Sequence, residues 1–493
     1  MQSTPNKITN YINGNWQKPE SGIERAVMNP ASMEQIATVY LSQQDEVKKA
    51  IESAEEAFYE WRRTPVTKRI QYLFHFKNLL EEHIDELAQI ITNECGKTYN
   101  ESVGEIRRGI ENVENACGMP TMMQGYNNED IATGVDEHMI RQPLGVVTAI
   151  TPFNFPVMIP LWFLPYAVAA GNCFILKPSE KVPMSARYIF KLLDMLDLPE
   201  GVVQLVNGDK TAVDELLENP SVKAISFVGS SPVARQIYSK GTTYGKRVQA
   251  QGGAKNIVVI LPDAEMDMTT RIVGDSAFGC AGQRCLANSL AVTVGNARKP
   301  FTEAIMEKAA NLKVGYGMDK NIEMGPVITP DSRQRVESYI EIGETEGGKI
   351  IVDGRGKKVE PFKNGNWSYP TIIDDINPDS SIAKTEIFGP LFGLMHVETV
   401  DDAIALINSQ KYGNMACLFT NSGAAARQFR YEASAGNIGI NIGVAAPMAY
   451  FPFSGWKESF FGDLHAQGRH AVEFYTQTKV VVERWIRDWD RVF

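Results

Sequence analysis

The sequence predicts an α/β protein built on a buried, Rossmann-type parallel sheet. Short, wholly apolar runs recur through its first half, and helical segments or loops separate them. A chain of 493 residues is also long enough for about three domains of ~150 residues. Strands covered on both faces read as continuous apolar runs, and their alternation with helices gives βαβ units, whose strands lie parallel.

The chain opens on a short β-like segment, ITNYINGNW (8–16), followed by two amphipathic helices. In the first, Val47, Ala50, Ile51, Ala54, Phe58 and Trp61 share one face. In the second, Ile70, Leu73, Lys77, Leu80, Ile84, Leu87 and Ile91 continue the spacing to a stop at Cys95-Gly96, where glycine can turn left-handed. The period then changes. GVVTAI (145–150), CFILK (173–177), VVQLV (202–206), AISFVG (224–229) and NIVVIL (256–261) are strand-like, with segments such as TAVDELLENP (211–220) between them.

A second α/β stretch runs from about Asp263 to Ser454, with a helical FTEAIMEKAANL (301–312) and a strand-like LFGLMHVETV (391–400). Near the C-terminus, VEFYTQTKVVVERW (472–485) alternates like an exposed strand, and an unpaired edge invites another subunit. The absence of repeats, low-complexity tracts and long linkers predicts domains that interleave.

Composition excludes several classes of function. With 44% hydrophobic and 22% charged residues the chain is ordinary globular material. A net charge of −10 without a basic patch argues against nucleic acid. Six irregularly spaced cysteines make no disulfide scaffold, and no CxxC pair, HExxH or Cys/His cluster suggests a metal site. The start, MQSTPNKITNYINGNW, has no apolar signal-like core, which points to the cytoplasm and reduced thiols. The stretch from Gln142 to Leu176 is uncharged and long enough for a membrane helix. However, Pro152, Pro156, Pro160 and Pro165 interrupt it, so it reads as a buried strand, a loop and a short helix.

Two motif-like features are set aside. GETEGGK (343–349) has P-loop spacing, but Ile350 stands where magnesium needs Ser or Thr, and two glutamates would repel phosphate. Neither GxGxxG after a strand nor GxSxG is present.

The chemistry concentrates elsewhere. Cys285 lies in FGCAGQRCLANS (278–289), where small neighbours let a substrate approach and Arg284 can favour the reactive thiolate. Cys280, five residues earlier, is a competitor that spacing alone does not exclude. In TPFNFP (151–156), Asn154 is either a turn residue or an amide donor to a developing oxyanion. LKPSE (176–180) ends a strand, where open parallel sheets bind ligands. There Lys177 can donate to a ribose and Glu180 can accept from its hydroxyls.

TPFNFP, LKPSE, SFVGS (226–230), GGAKN (252–256), GQRC (282–285) and EIFGP (386–390) occur in the order and spacing of the aldehyde dehydrogenase superfamily, and the resemblance spans nearly the whole chain. It implies an NAD-binding domain over 1–122 and 144–253, a catalytic domain over 254–455, and a small β oligomerisation element over 123–143 and 470–493, usually in homodimers or homotetramers. By the resemblance Cys285 is the nucleophile and Asn154 the oxyanion-hole amide. Lys177 and Glu180 match the adenosine-ribose contacts, Glu386 the nicotinamide-ribose contact, and Gly229 and Ser230 the turn near the pyrophosphate. Thr151, Phe153 and Phe388 belong to the same cofactor-contacting blocks. Ala234 replaces a glycine that many relatives carry. A carboxylate at Glu180 would repel a 2′-phosphate, which favours NAD over NADP.

One departure is informative. Most hydrolytic relatives have a glutamate where this chain has Gln251, and an amide cannot act as a general base toward water. GGAKN, AFGCAGQRC (277–285), RRGIENVE (107–114) and SFFGDLHAQGRHAVEFYTQ (459–477) look like the methylmalonate-semialdehyde dehydrogenase branch, which is coenzyme A-acylating and carries an amide, usually Asn, there. By that resemblance Arg108, Arg284 and Gln251 are substrate contacts, the two arginines holding the carboxylate of the aldehyde. Arg108 is equally readable as a helix-face partner of Glu105 or Glu111. The alternatives are a hydrolytic dehydrogenase of another anionic aldehyde, of succinate-semialdehyde or sulfo-aldehyde type, and a catalytically silent relative.

Overall fold

The computed structural model describes residues 6–485, so Met1–Pro5 and residues 486–493, the end of the expected oligomerisation element, lie outside the described residues. Two large sheets form the body. In the first, strands follow in space as Phe460–Phe461, Arg247–Gln251, Val222–Val228, Val146–Ile150, Cys173–Lys177, Val203–Leu205, Asn10–Ile12 and Asn15–Gln17. The five from Arg247 to Leu205 pair in parallel. From Val146–Ile150 the chain first builds outward through Cys173–Lys177 and Val203–Leu205, then returns to the other flank with Val222–Val228. That reversal makes a switch point, and the loops after Ile150 and Val228 diverge to open a crevice at the carboxyl ends of the strands.

The second sheet contains seven strands: Lys349–Val352, Thr371–Asp374, Leu391–Val397, Asn288–Val294, Asn256–Ile260, Met415–Phe419 and Asn437–Ile440. All its pairings are parallel except that of Lys349–Val352. NIVVIL therefore opens this sheet and does not extend the first, because Ile257 to Ile260 pair with Leu290–Thr293 and Ala416–Phe419. A smaller antiparallel sheet joins Tyr126–Ala132, Val135–Pro143 and Thr476–Arg484. Its last strand has one neighbour among the described residues, and Val480 and Val482 are exposed along it.

The opening helices lie at Gln44–Trp61, Val66–Glu82 and Ile84–Cys95. The expected second helix is thus two, broken at His83, whose φ of −108° and ψ of 19° leave the helical region. Lys77 points off the buried stripe to reach Glu81 and Glu114, and Gly96 ends the third helix left-handed at φ +89°. At the C-terminus, 472–475 belong to a helix, Gly468–Tyr475, and the strand begins only at Thr476. Burial of Val472, Phe474 and Tyr475 outweighs the alternating pattern that spoke for a strand there.

The uncharged stretch folds as a strand, a loop and the helix Met158–Ala170, apolar on every face and buried throughout from Ile159 onward. No helix of the described residues is long and apolar enough to cross a membrane. Its first N–H groups, which have no helical partner, are met by a carboxylate: Glu105 Oε1 accepts from Val157 N at 2.8 Å and from Met158 N at 3.1 Å. Lys97 pairs with the other oxygen of Glu105, both side chains almost wholly buried.

Candidate active site

The carboxyl ends of the first sheet face the amino ends of the second, and two cavities meet between them. One, about 340 Å³, lies against the helix carrying Glu105 and Arg108, with Trp162 and Phe453 as an aromatic wall at 4.5 Å ring separation. The other, about 730 Å³, runs over the switch point past Phe153, Asn154, Gly229, Ser230, Glu386 and Phe388. Among the described residues, Cys285 is the one that lines both. Cys280 lines only the smaller, which separates the two thiols that spacing left open.

The loop that presents Cys285 has an unusual backbone. After the helix Met266–Phe278, Cys280, Ala281 and Gly282 are all left-handed, at φ +51°, +51° and +69°. Gly282 has no room for a Cβ, because the carbonyl of Gly389 lies against it. The turn is clamped by Glu101, which accepts from Cys280 N at 2.6 Å, and by Asn256 and Asn414, whose Nδ2 atoms donate to the Cys285 carbonyl at 2.8 and 3.0 Å. Burial pushes the Cys285 thiol up to about 12, and the charge of Glu386 adds to this. Its own N–H, Arg284 and the N–H of Leu286 pull the other way without prevailing.

Arg284 therefore does not deliver a thiolate by itself. Its Nη2 donates to the carbonyls of Asp275 and Ser276 at 2.5 and 2.9 Å, while its buried Nε has no partner among the described residues. Arg108 lines the smaller cavity and is also a helix-face partner, as its alternative reading held. It pairs with Glu111 at 2.6 Å and donates to Pro447 O at 2.6 Å. Glu105 is instead the partner of Lys97. Gln251 lines neither cavity. Its Nε2 donates to Asn414 Oδ1 at 3.1 Å, one hydrogen bond removed from the Cys285 carbonyl. A direct substrate contact at Gln251 is therefore not what this geometry offers. The buried side chain turns toward the second sheet because Asn414 supplies its acceptor.

Asn154 is 4% exposed and its Nδ2 donates to Gln283 O at 3.0 Å, which leaves the second amide hydrogen unused. Thr151 is buried at the strand end, its N–H on Lys177 O at 3.1 Å. Phe153 and the left-handed Phe388 meet edge-on at 5.8 Å. Gly229 and Ser230 precede the helix Ser231–Thr243, whose free N–H groups suit an anion.

Lys177 and Glu180 sit 3.4 Å apart at the next strand end. Arg25, not anticipated from sequence, pairs with the other oxygen of Glu180 at 2.9 Å. Burial pushes the Glu180 carboxyl up, but Lys177 and Arg25 outweigh it and hold it below its ordinary value. Glu180 and Arg25 line a further hollow of about 360 Å³ that shares Ser332 and Arg335 with the larger cavity, so one groove leads from Cys285 to Glu180.

Glu386 accepts from Ala254 N at 3.0 Å, and burial raises its carboxyl to about 7. Beside it Lys255, its Nζ buried with no partner among the described residues, is pushed down by burial to about 7, with Glu386 opposing the shift. Away from the cavities, Asp374, Asp375 and His396 bring possible metal ligands within 4.8 Å of one another. These are cross-strand neighbours that linear spacing does not reveal. Arg298 and Lys349 already pair with the aspartates and Thr293 with His396.

The sequence profile of the aldehyde dehydrogenase family matches residues 16–481. The chain belongs to the aldehyde dehydrogenase family. This aldehyde dehydrogenase is 48% identical over 478 residues to malonate-semialdehyde dehydrogenase 2 of Geobacillus kaustophilus (strain HTA426), covering 97% of this chain and 99% of the relative. It is 46% identical to the malonate-semialdehyde dehydrogenase of Halalkalibacterium halodurans, covering 98% and 99%. Among solved structures, the methylmalonate-semialdehyde dehydrogenase of Oceanimonas doudoroffii superposes with a TM-score of 0.96 at 45% identity, covering 98% and 99% of the two chains. A candidate methylmalonate-semialdehyde dehydrogenase of Sinorhizobium meliloti 1021, complexed with NAD, gives 0.97 at 38% identity over 99% of each chain.

Proposed function

We propose that the protein oxidises a short, carboxylate-bearing aldehyde of malonate or methylmalonate semialdehyde type, with NAD as oxidant, and passes the acyl group to coenzyme A. The observation that carries this reading is the position of Cys285, which alone among the described residues lines both the long groove and the apolar cavity. A nucleophile at that junction can touch an aldehyde on one side and a redox cofactor on the other.

The groove suits NAD by its donors and acceptors. Glu180, paired with Lys177, lies at one end, Ser231 of the Ser231–Thr243 helix lines it, and Glu386 lies beside Cys285. The NAD bound to the Sinorhizobium relative supports the same cofactor here. When bound, NAD supplies the two-electron acceptor beside the sulfur.

The residues of this chain do the rest. The Cys285 sulfur attacks the aldehyde carbon, and the spare hydrogen of Asn154 Nδ2, with the Cys285 N–H, faces the oxygen that becomes negative. Oxidation leaves a thioester on Cys285. The thiol of coenzyme A then takes the acyl group and Cys285 leaves as thiolate; with a 3-oxoacid, the carboxylate departs as CO2 and the α-carbon takes up a proton, which gives acetyl- or propionyl-CoA. Gln251 cannot take a proton from water, and its amide is committed to Asn414 away from both cavities, so the position where hydrolytic relatives carry a glutamate supplies no base here, which supports transfer to a thiol. Arg108 and Arg284, lining the smaller cavity, supply positive charge for the substrate carboxylate.

The reading extends to the assembly. The domain division over 1–122 with 144–253, 254–455, and 123–143 with 470–493, a homodimer or homotetramer using the free edge of Thr476–Arg484, and a cytoplasmic setting that keeps all six cysteines free belong to it. NADH formation from malonate semialdehyde, measured with and without coenzyme A, tests the acceptor. Strong dependence on coenzyme A is expected, and full turnover to free acid without it overturns the acylating reading. Undiminished activity in Cys285→Ala overturns the nucleophile.

A further inference from the structure

We infer that Gln467 is a specificity-determining residue of the substrate cavity, its side-chain amide donating a hydrogen bond to the carboxylate of the aldehyde. The inference rests on the carboxylate-bearing substrate proposed above and adds to it a residue of the 459–477 block to which the sequence reading gave no role.

The backbone gives the first reason. Gln467 has φ +72° and ψ 166°, a region that is essentially glycine-only. It is held there from both sides. Phe453 N donates to the carbonyl of the preceding Ala466 at 2.9 Å, and the helix Gly468–Tyr475 begins immediately after it. A turn of this shape is most easily made with glycine. A glutamine in that place needs a use for its side chain.

Its surroundings supply one. Gln467 is 2% exposed and lines the cavity that Cys285 and Arg284 also line. The other polar side chains around this cavity already have partners: Glu101 with Cys280 N, Glu105 with Lys97, Arg108 with Glu111, Asn112 with the Arg108 carbonyl and Tyr166, and Arg284, through Nη2 though not Nε, with two carbonyls. The side-chain amide of Gln467 has no partner among the described residues. An amide that opens onto the cavity lined by Trp162 and Phe453 must be met by whatever displaces solvent there. In a cavity that also carries two guanidinium groups, the ligand atom that fits an amide N–H is a carboxylate oxygen.

The experiment compares kcat/KM for malonate semialdehyde with that for propanal, which is similar in length but lacks the carboxylate, in the full-length enzyme with NAD and coenzyme A. Gln467→Met removes the amide at similar size, Gln467→Glu replaces it with a like charge, and Gln467→Gly removes it while suiting the backbone. The ratio is expected to fall roughly ten- to a hundred-fold in the methionine and glycine variants, and further in the glutamate variant. The glycine variant is expected to keep the melting temperature of the parent, which separates a lost contact from a damaged fold. A parent preference for the semialdehyde that survives in all three variants overturns the role of Gln467 alone. A parent ratio near one overturns the carboxylate reading and this inference with it.

Discussion

Replacing Lys97 with methionine should destabilise the protein far more than an ordinary surface charge change. The Lys97 and Glu105 side chains are 2% and 0% exposed, so the pair lies out of reach of solvent screening. Glu105 also accepts the N–H groups of Val157 and Met158, and the Lys97 ammonium lies 3.8 Å from the centre of the Phe155 ring. Removing the cation leaves a buried carboxylate with two neutral donors and no counter-charge. Such a loss costs about 3–5 kcal/mol, and at roughly 2–4 °C per kcal/mol for a cooperative unit of this size the melting temperature should fall by about 6–20 °C.

The pH dependence follows from the same pair. Burial pushes the Lys97 ammonium down, but Glu105 and the neighbouring thiols outweigh this and hold it above its ordinary value. Its contribution is therefore full below about pH 10, the usual lysine range, and is lost only as the pH rises beyond it. In Lys97→Met the deficit at pH 8 should begin to narrow at about pH 11, where the Lys97 ammonium of the parent starts to lose its contribution. Lys97→Met/Glu105→Gln should recover at least half the loss, because the amide oxygen still accepts from Val157 and Met158. Thermal melts of the three proteins at both pH values decide the matter. A double variant no more stable than the single one, or a single variant within about 2 °C of the parent, refutes the argument.

Further expectations concern the site. Asn154→Ala should lower kcat by about 10²–10³, the usual consequence of losing one oxyanion donor; a loss below tenfold in steady-state NADH formation counts against the geometry. With the Cys285 thiol pushed up to about 12, alkylation by iodoacetamide of the enzyme without cofactor should climb about tenfold per pH unit from pH 7 to 9, whereas a plateau by pH 8 would show a thiolate already present. Glu386→Gln removes a charge that opposes the thiolate, so alkylation at a given pH should speed up while the KM for NAD rises; unchanged alkylation would mean the two groups are not coupled. Gln251→Glu sets an acceptor against Asn414 Oδ1, so the melting temperature should drop and turnover without coenzyme A should gain no more than a few-fold; a hundred-fold gain would show that position 251 reaches the thioester.

Much of this was legible in the sequence because it is written in local periodicity. The 145–150, 173–177, 224–229 and 256–261 runs form strands, since an apolar run flanked by turns has few other ways to lose its water. Gly96 ends its helix because a residue without Cβ adopts a left-handed backbone cheaply. The six motif blocks similarly mark the family, and with it the residues expected to carry the chemistry.

What tertiary structure decided depends on groups brought together from distant parts of the chain. Cys285 and Cys280 are equivalent in spacing, and they part only because two cavities, walled by loops from both sheets, meet at one sulfur and not the other. The amide of Gln251 finds its partner in Asn414, and Nη2 of Arg284 in two carbonyls of the preceding helix. Arg25 reaches Glu180 across 155 positions of sequence. Gln467 owes its strained backbone to the bridge between its neighbour Ala466 and Phe453 and to the helix that begins at Gly468. Local pattern determines which segments become strands and helices, because burial of each element's own face is the dominant local gain. Hydrogen-bond satisfaction is settled only when the elements pack, and so the partners of the site's polar groups were decided by the fold.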